Sequence, residues 1–315
     1  MSSEKTAASP TPEISVVVPV FNEEPNIREL IRRITAALDG LNRPFEIVVV
    51  DDGSSDGSVA LLKQLREEDS RLRIVRLARN FGQGPALYAG FAHVRGEIIV
   101  MLDADLQNPP EELVKLIEKL DEGYDFVNGW RQGRHDSVAR TLPSRFLNYL
   151  IKKTTKAQFN DAGCALKAFR RNVIDMLLRF THHSRYLSVD VAWLGVSTAE
   201  VPVAHVERSA GTSKYGIRKL FRTAFDLVTS VTAAPLQMLG ALGWLFAGFG
   251  FLMALRVTYV RVFQGDDRQL GTVVALFFIL SGVQLIATGL MCEYISRIYI
   301  EVQNRPYYVV KDVIE

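Results

Sequence analysis

The chain has 315 residues, 48% of them apolar, and a formal net charge of +2. That length allows one large domain or two smaller ones with a filled core. So small a charge, with no long basic stripe carrying interleaved aromatics, argues against nucleic acid as a partner.

Residues 1–13 are polar, carry Pro10 and Pro12, and read as a disordered tail; the apolar run that follows is too short for a signal-peptide core. Ile14–Val20 then reads as a buried strand, and Ile27, Leu30, Ile31, Ile34 and Leu38 fall at helical spacing. The alternation continues as strand Phe45–Val50, helix from Ser58, strand Leu72–Leu77, helix from Gly84, strand Glu97–Leu102, helix from Glu111 and strand Phe126–Asn128. This predicts an α/β fold, a mainly parallel sheet with helices on both faces. Ligands in such sheets bind beyond the carboxyl ends of the strands.

Two runs without charge follow, Leu227–Leu255 and Gln269–Cys292. Each exceeds the roughly 20 residues a helix needs to cross a bilayer. Just before them, Ile217, Leu220, Phe221, Ala224, Phe225 and Val228 share a helical face, with Arg218, Lys219 and Arg222 on another, the pattern of an interfacial helix. Basic residues also follow the second run (Arg297, Arg305, Lys311), so a hairpin with both ends cytoplasmic and its turn near Gly265–Arg268 in the periplasm is expected. The expected divisions are tail 1–13, cytoplasmic α/β domain 14–213, interfacial helix 214–232, transmembrane hairpin 233–295 and cytoplasmic segment 296–315. The two cysteines, Cys164 and Cys292, imply no disulfide framework and fit a reducing compartment.

The strand ends carry the unusual residues. Val18–Glu23 reads VPVFNE and Asp51–Asp56 reads DDGSSD; each reads equally as a capped turn or as a polar loop whose carboxylate accepts a nucleobase N–H. The fourth strand runs into Asp103–Glu111, DADLQNPPE. Two carboxylates one residue apart at the end of a buried strand repel each other unless a cation joins them. Mg2+ or Mn2+, hard ions with oxygen ligands, fits Asp103 and Asp105 and can bridge to a diphosphate. An acidic capping turn before Pro109 is the alternative.

VPVFNE, DDGSSD and DADLQNPPE together resemble the motifs of glycosyltransferase family 2, in the polyprenyl-phosphate branch that includes dolichol-phosphate mannose synthase. The resemblance covers nearly the whole chain after Glu13 and implies a GT-A, Rossmann-like catalytic domain. It implies that Pro19, Phe21, Glu23 and Asp52 frame the nucleotide base, that Asp103 and Asp105 hold the metal on the nucleotide-sugar, and that Gln107 lies beside them. Phe21 stands where tyrosine is commoner, which removes a hydroxyl and keeps the ring. Arg131, Arg140 and the segment Arg208–Tyr215, similar to the family's R-x-x-G-x-S-K, supply phosphate-binding chemistry. Arginine grips phosphate oxygens in a fork, and Ser213 and Lys214 add a donor and a point charge; singly, each cation reads equally as part of a solvated face.

Asn160–Arg171, NDAGCALKAFRR, and the terminal EYISRIY and RP are similar to the subfamily that transfers 4-deoxy-4-formamido-L-arabinose to undecaprenyl phosphate. That implies inverting transfer of a UDP-linked sugar to a lipid phosphate at a bacterial inner membrane, supplying envelope or lipid A modification, by an enzyme that assembles as a homotetramer. Asp161 is a catalytic candidate there, with a turn cap as the alternative, and Cys164 reads as a packing residue. Glucose, mannose or N-acetylglucosamine are alternative sugars, and a catalytically silent membrane scaffold is an alternative of another class.

Overall fold

A computed structural model describes residues 11–131, 159, 161–180, 187–204, 234–264, 270–303 and 305–315. The expected interfacial helix 214–232 and the turn at 265–268 lie outside the described residues, as do Arg140, Arg208, Ser213 and Lys214. The chain divides into two compact units, Met1–Leu220 with Pro306–Glu315, and Phe221–Arg305.

The first unit is built on strands β1 (Ile14–Val20), β2 (Phe45–Asp51), β3 (Leu72–Leu77), β4 (Ile98–Met101), β5 (Phe126–Arg131), β6 (Lys167–Arg170), β7 (Thr198–Val203) and β8 (Val310–Ile314). They form one sheet in the order β7-β5-β6-β4-β1-β2-β3-β8. β4, β1, β2 and β3 are mutually parallel, as are β5 and β7, whereas β6 and β8 run antiparallel to their neighbours. β1 and β2 are near-continuous β-branched runs because helices cover both faces, which leaves no polar side to alternate with.

On one face lies α1 (Glu24–Asp39), started by Pro25 and burying Ile27, Leu30, Ile31, Ile34 and Leu38, the apolar stripe its spacing predicts. α2 (Ser58–Glu68) and α4 (Leu113–Asp121), the latter after a 3-10 turn at Pro110–Glu112, bury Leu62, Leu113, Leu116, Ile117 and Leu120 in the same core. The other core holds α3 (Gln83–Phe91), α5 (Arg171–Leu178) and α6 (Leu187–Leu194). There Phe91, Phe126 and Phe169 pack ring to ring, with centroids 4.9–5.7 Å apart. Each such side chain contributes about 1.5–3 kcal/mol by leaving water.

The sequence reading ends the chain in an undivided cytoplasmic segment, 296–315; the structure puts a strand in it. β8 pairs with β3 from Ile74↔Ile314 to Leu77↔Val310, and ion pairs Arg76–Asp312 and Arg73–Glu315 fasten it. Five residues after a proline carry too little periodicity to announce a strand, and the open edge of β3 supplies the hydrogen bonds that make it one.

The second unit contains α7 (Ala234–Gln264) and α8 (Leu270–Val302), which pack on each other. Leu236–Val260 and Ile279–Val302 are long and apolar enough to cross a membrane. Their large apolar side chains are bare, Trp244 at 83% and Leu285 at 74% exposure. Apolar surface on that scale calls for hydrocarbon as solvent.

Candidate active site

The carboxyl ends of β1, β2 and β4 open into one cavity of about 290 Å³. Pro19, Phe21, Glu23, Asp52, Asp103 and Asp105 all line it, so residues spread over 87 positions of sequence meet there. Phe21 is 45% exposed, an aromatic ring left bare at the mouth. Asn22, in the left-handed region at φ 56°, turns the chain after β1; its Oδ1 accepts the Ser55 N–H at 2.8 Å and ties the first two motifs together.

Asp52 acts structurally as well as lining the cavity. Its Oδ1 accepts the backbone N–H of Phe81 at 2.7 Å and its Oδ2 that of Gly82 at 2.8 Å. Burial pushes this acid up, and the two N–H groups oppose the shift. Gly53 beside it has φ 73°, and a Cβ there would lie 2.7 Å from Arg79 C and Asn80 N. Asp52 and Gly53 therefore seat the loop after β3 against the cavity, which Asn80, Gly82 and Gln83 also line. Sequence reasoning passed over this loop; the Gly82-Gln83 pair opening a helix at a strand end was the available signal.

Asp103 accepts a hydrogen bond from Gln83 Nε2 at 2.6 Å, and Asp105 Oδ1 accepts the Gln107 backbone N–H at 3.2 Å. Gln107 thus contributes main chain to the motif. Leu106 between them holds φ 58°, a strained conformation for a leucine that turns the chain sharply after the carboxylates. Burial first, then the Asp105 charge, push the Asp103 acid up to about 6. Two oxygen-bearing acids that repel each other fit a hard divalent cation. Among the described residues no group of three or more His, Cys, Asp or Glu is clustered as a metal site. Asp103 and Asp105 are the residues that would hold such an ion, which would supply positive charge against an anionic ligand in the cavity.

Arg131 and Asp161 stand apart from the cavity lining, at the end of β5 and in the segment before β6. They form a bidentate ion pair, Nε to Oδ2 at 2.6 Å and Nη2 to Oδ1 at 2.9 Å. The charges of Lys167 and Arg131 both act on Asp103, so this cluster neighbours the acidic pair. Lys167 itself is buried, and desolvation pulls its ammonium down to about 8. Lys167 falls within the Asn160–Arg171 motif without a role given to it there, and its partner Asn128 belongs to no motif. Cys164 packs against Gly129, where an added Cβ would lie 2.9 Å from Sγ, and burial raises its thiol, as suits a packing residue.

The family model for glycosyl transferase family 2 matches residues 15–178. The undecaprenyl-phosphate 4-deoxy-4-formamido-L-arabinose transferase of Shewanella sediminis (strain HAW-EB3) is 43% identical over 305 residues, 96% of this chain and 92% of that protein. The enzyme of the same name from Salmonella enteritidis PT4 is 43% identical over 98% of this chain and 95% of its own. Among solved structures, mannosyl-3-phosphoglycerate synthase from Rubrobacter xylanophilus superposes with a TM-score of 0.54 at 19% identity, covering 73% of this chain and 75% of that one. Glucosyl-3-phosphoglycerate synthase from Mycobacterium tuberculosis, in complex with Mn2+, UDP and phosphoglyceric acid, gives 0.51 at 24% identity, covering 69% and 76%. Both structural likenesses establish the fold.

Proposed function

The chain belongs to glycosyl transferase family 2, and on that premise we propose that it transfers 4-deoxy-4-formamido-L-arabinose from UDP to undecaprenyl phosphate. The observation that carries the reading is the Asp103–Asp105 pair at the mouth of a cavity walled by Pro19, Phe21 and Asp52. Full-length similarity to transferases of that name supports the choice of sugar and lipid.

In this reading the Phe21 ring packs on the uracil, while Glu23 and the Asp52-anchored loop bound the base and ribose. Mg2+ or Mn2+ held by Asp103 and Asp105 would neutralise the diphosphate and favour its departure. Arg131 supplies a guanidinium to the phosphate side, with Asp161 fixing its plane. Arg140, Arg208, Ser213 and Lys214 are proposed as further phosphate ligands. One oxygen of the lipid phosphate attacks the anomeric carbon as the carbon–oxygen bond to UDP breaks, with inversion. A phosphate monoester has its second pKa near about 6, so the nucleophile is already largely dianionic at neutral pH and Asp161 need not act as a base.

The long acceptor tail accounts for the apolar hairpin: the lipid stays in hydrocarbon while its phosphate meets the site. A strand at residues 310–314 that returns to the sheet supports a hairpin with both ends on one side, and the basic flanks support the cytoplasmic side of a bacterial inner membrane. Assembly as a homotetramer belongs to the same proposal.

Asp105→Asn tests the carboxylate pair. It keeps the shape and removes the charge, so turnover should fall by roughly 100-fold or more, the effect of losing several kcal/mol of charge stabilisation. Normal turnover at saturating Mn2+ would sink the role given to Asp105.

A further inference from the structure

Among the described residues Lys167 is the one buried lysine, only 3% exposed, and the mechanism above leaves it without a task. It opens β6, where its Cα pairs with Met101 on one side and Asn128 on the other. It thus sits between the strand that runs into Asp103 and the strand that runs into Arg131. Among the described residues no carboxylate is a hydrogen-bond partner of it: its Nζ donates to Asn128 Oδ1 at 2.6 Å, to the Ala162 carbonyl at 3.3 Å and to the Cys164 carbonyl. A buried ammonium satisfied by neutral oxygens is costly to hold, and a packing role alone would be served better by leucine or methionine.

What the bonds secure is the segment 161–166. Its chain is irregular: the Leu166 carbonyl accepts the Gly129 N–H and the Asp161 carbonyl that of Cys164, while the Ala162 and Cys164 carbonyls are met by side chains. Asn128 Nδ2 takes the Asp161 carbonyl at 3.0 Å and also reaches Glu200 Oε1 at 3.0 Å. Ser188 Oγ donates to the Ala162 carbonyl at 2.7 Å, from a helix that Tyr88 holds through Asp190 at 3.3 Å. Lys167 closes the set, since it alone joins the Asn128 amide to the Ala162 and Cys164 carbonyls. The Asp161 carboxylate that emerges from this segment grips Arg131.

We propose that Lys167 is a positioning residue for the acceptor side of the reaction, with Ser188 as its second tether: by fixing the carbonyls of segment 161–166 it sets the Asp161 carboxylate and, through it, the Arg131 guanidinium. The proposal rests on the reading that Arg131 and Asp161 serve the lipid phosphate. It separates two sides of one site. On the nucleotide side, β1, β2 and the loop after β3 share no hydrogen bond with Lys167 among the described residues, and the Lys167 charge reaches that side at Asp103.

The test uses the full chain in lipid nanodiscs, comparing wild type, Lys167→Met and Ser188→Ala. Methionine keeps the length of lysine and removes every N–H donor. Transfer is measured while undecaprenyl phosphate is varied at saturating UDP-sugar, and binding of UDP with Mn2+ is measured separately by calorimetry. Lys167→Met should lower kcat/KM for the lipid on the order of 100-fold, as misplacement by about 1 Å does, with UDP affinity within about twofold of wild type. Ser188→Ala, a change small enough to leave the fold intact, should move the same parameter in the same direction by less than about tenfold. Wild-type lipid kinetics in Ser188→Ala together with a folded, fully active Lys167→Met would overturn the proposal, as would an equal loss of lipid transfer and UDP binding. If Lys167→Met does not fold, Ser188→Ala decides alone. A wild-type protein that binds UDP and makes no lipid product would instead remove the functional reading, and this role with it.

Discussion

At Asp103 a carboxyl group is held at the end of a buried strand beside a second acid, and its pKa rises to about 6 from an ordinary 3.8. Between about pH 4 and 6 the folded state therefore holds a proton that the unfolded state has lost, so this group's contribution to stability falls as pH rises through that window. Above pH 6 the Asp103 carboxylate is ionised in the folded state, and the repulsion with its neighbouring acid remains until a cation relieves it. Mn2+ should accordingly raise the thermal midpoint by several degrees more at pH 7.5 than at pH 5, where protons compete for the same oxygens. An equal shift at the two pH values would contradict Asp103 as a cation ligand. Asp103 and Asp105 were legible in the sequence because one residue separates them at the end of an apolar run. The Arg131–Asp161 pair was legible only as two separate candidates, since 30 residues and the antiparallel pairing of β5 with β6 lie between them. Lys167 stands inside a motif, yet its role was not legible for a different reason: a lysine in sequence looks solvated, and only the fold surrounds it.

Among the elements, the loop after β3 carries more of the site than its composition suggests. Asp52 holds it through two backbone N–H groups, and Gly53 must lack a Cβ because Arg79 and Asn80 pass 2.7 Å from where one would be. Gly53→Ala meets both that contact and the positive φ, so it should cost about 1–3 kcal/mol in stability and weaken UDP binding along with it. Unchanged UDP affinity in a destabilised Gly53→Ala would show that the loop serves the fold alone. The strands β1 to β5 and the helices α1, α2 and α4 follow from apolar runs and helical spacing. The antiparallel β6 and the late strand β8 do not, because four and five residues carry no period of their own and depend on an edge already formed.

For the whole molecule, the decisive connection is that the chain leaves the sheet unit for a long apolar hairpin and comes back to it at Pro306–Glu315. Deleting residues 310–315 would uncover the β3 edge and break the Arg73–Glu315 and Arg76–Asp312 pairs. The truncated protein should unfold at a lower temperature and aggregate more readily than the full chain. A truncated protein as stable and monodisperse as the full one would mean that β8 is an ornament on the sheet. The two apolar runs were plain in the sequence because absence of charge over more than about 20 residues needs no tertiary context; the strand that ties them back to the catalytic unit needed the structure.

The measurement that tests sugar transfer to a lipid phosphate most directly incubates the purified full chain with undecaprenyl phosphate, Mn2+ and either UDP-4-deoxy-4-formamido-L-arabinose or UDP-glucose, and reads the lipid by mass spectrometry. The account predicts a glycosyl-phospholipid carrying the formamido sugar, abolished by chelator and by Asp105→Asn. Folded, UDP-binding protein that leaves the lipid unmodified, or that glycosylates it equally well without a divalent cation, would contradict it.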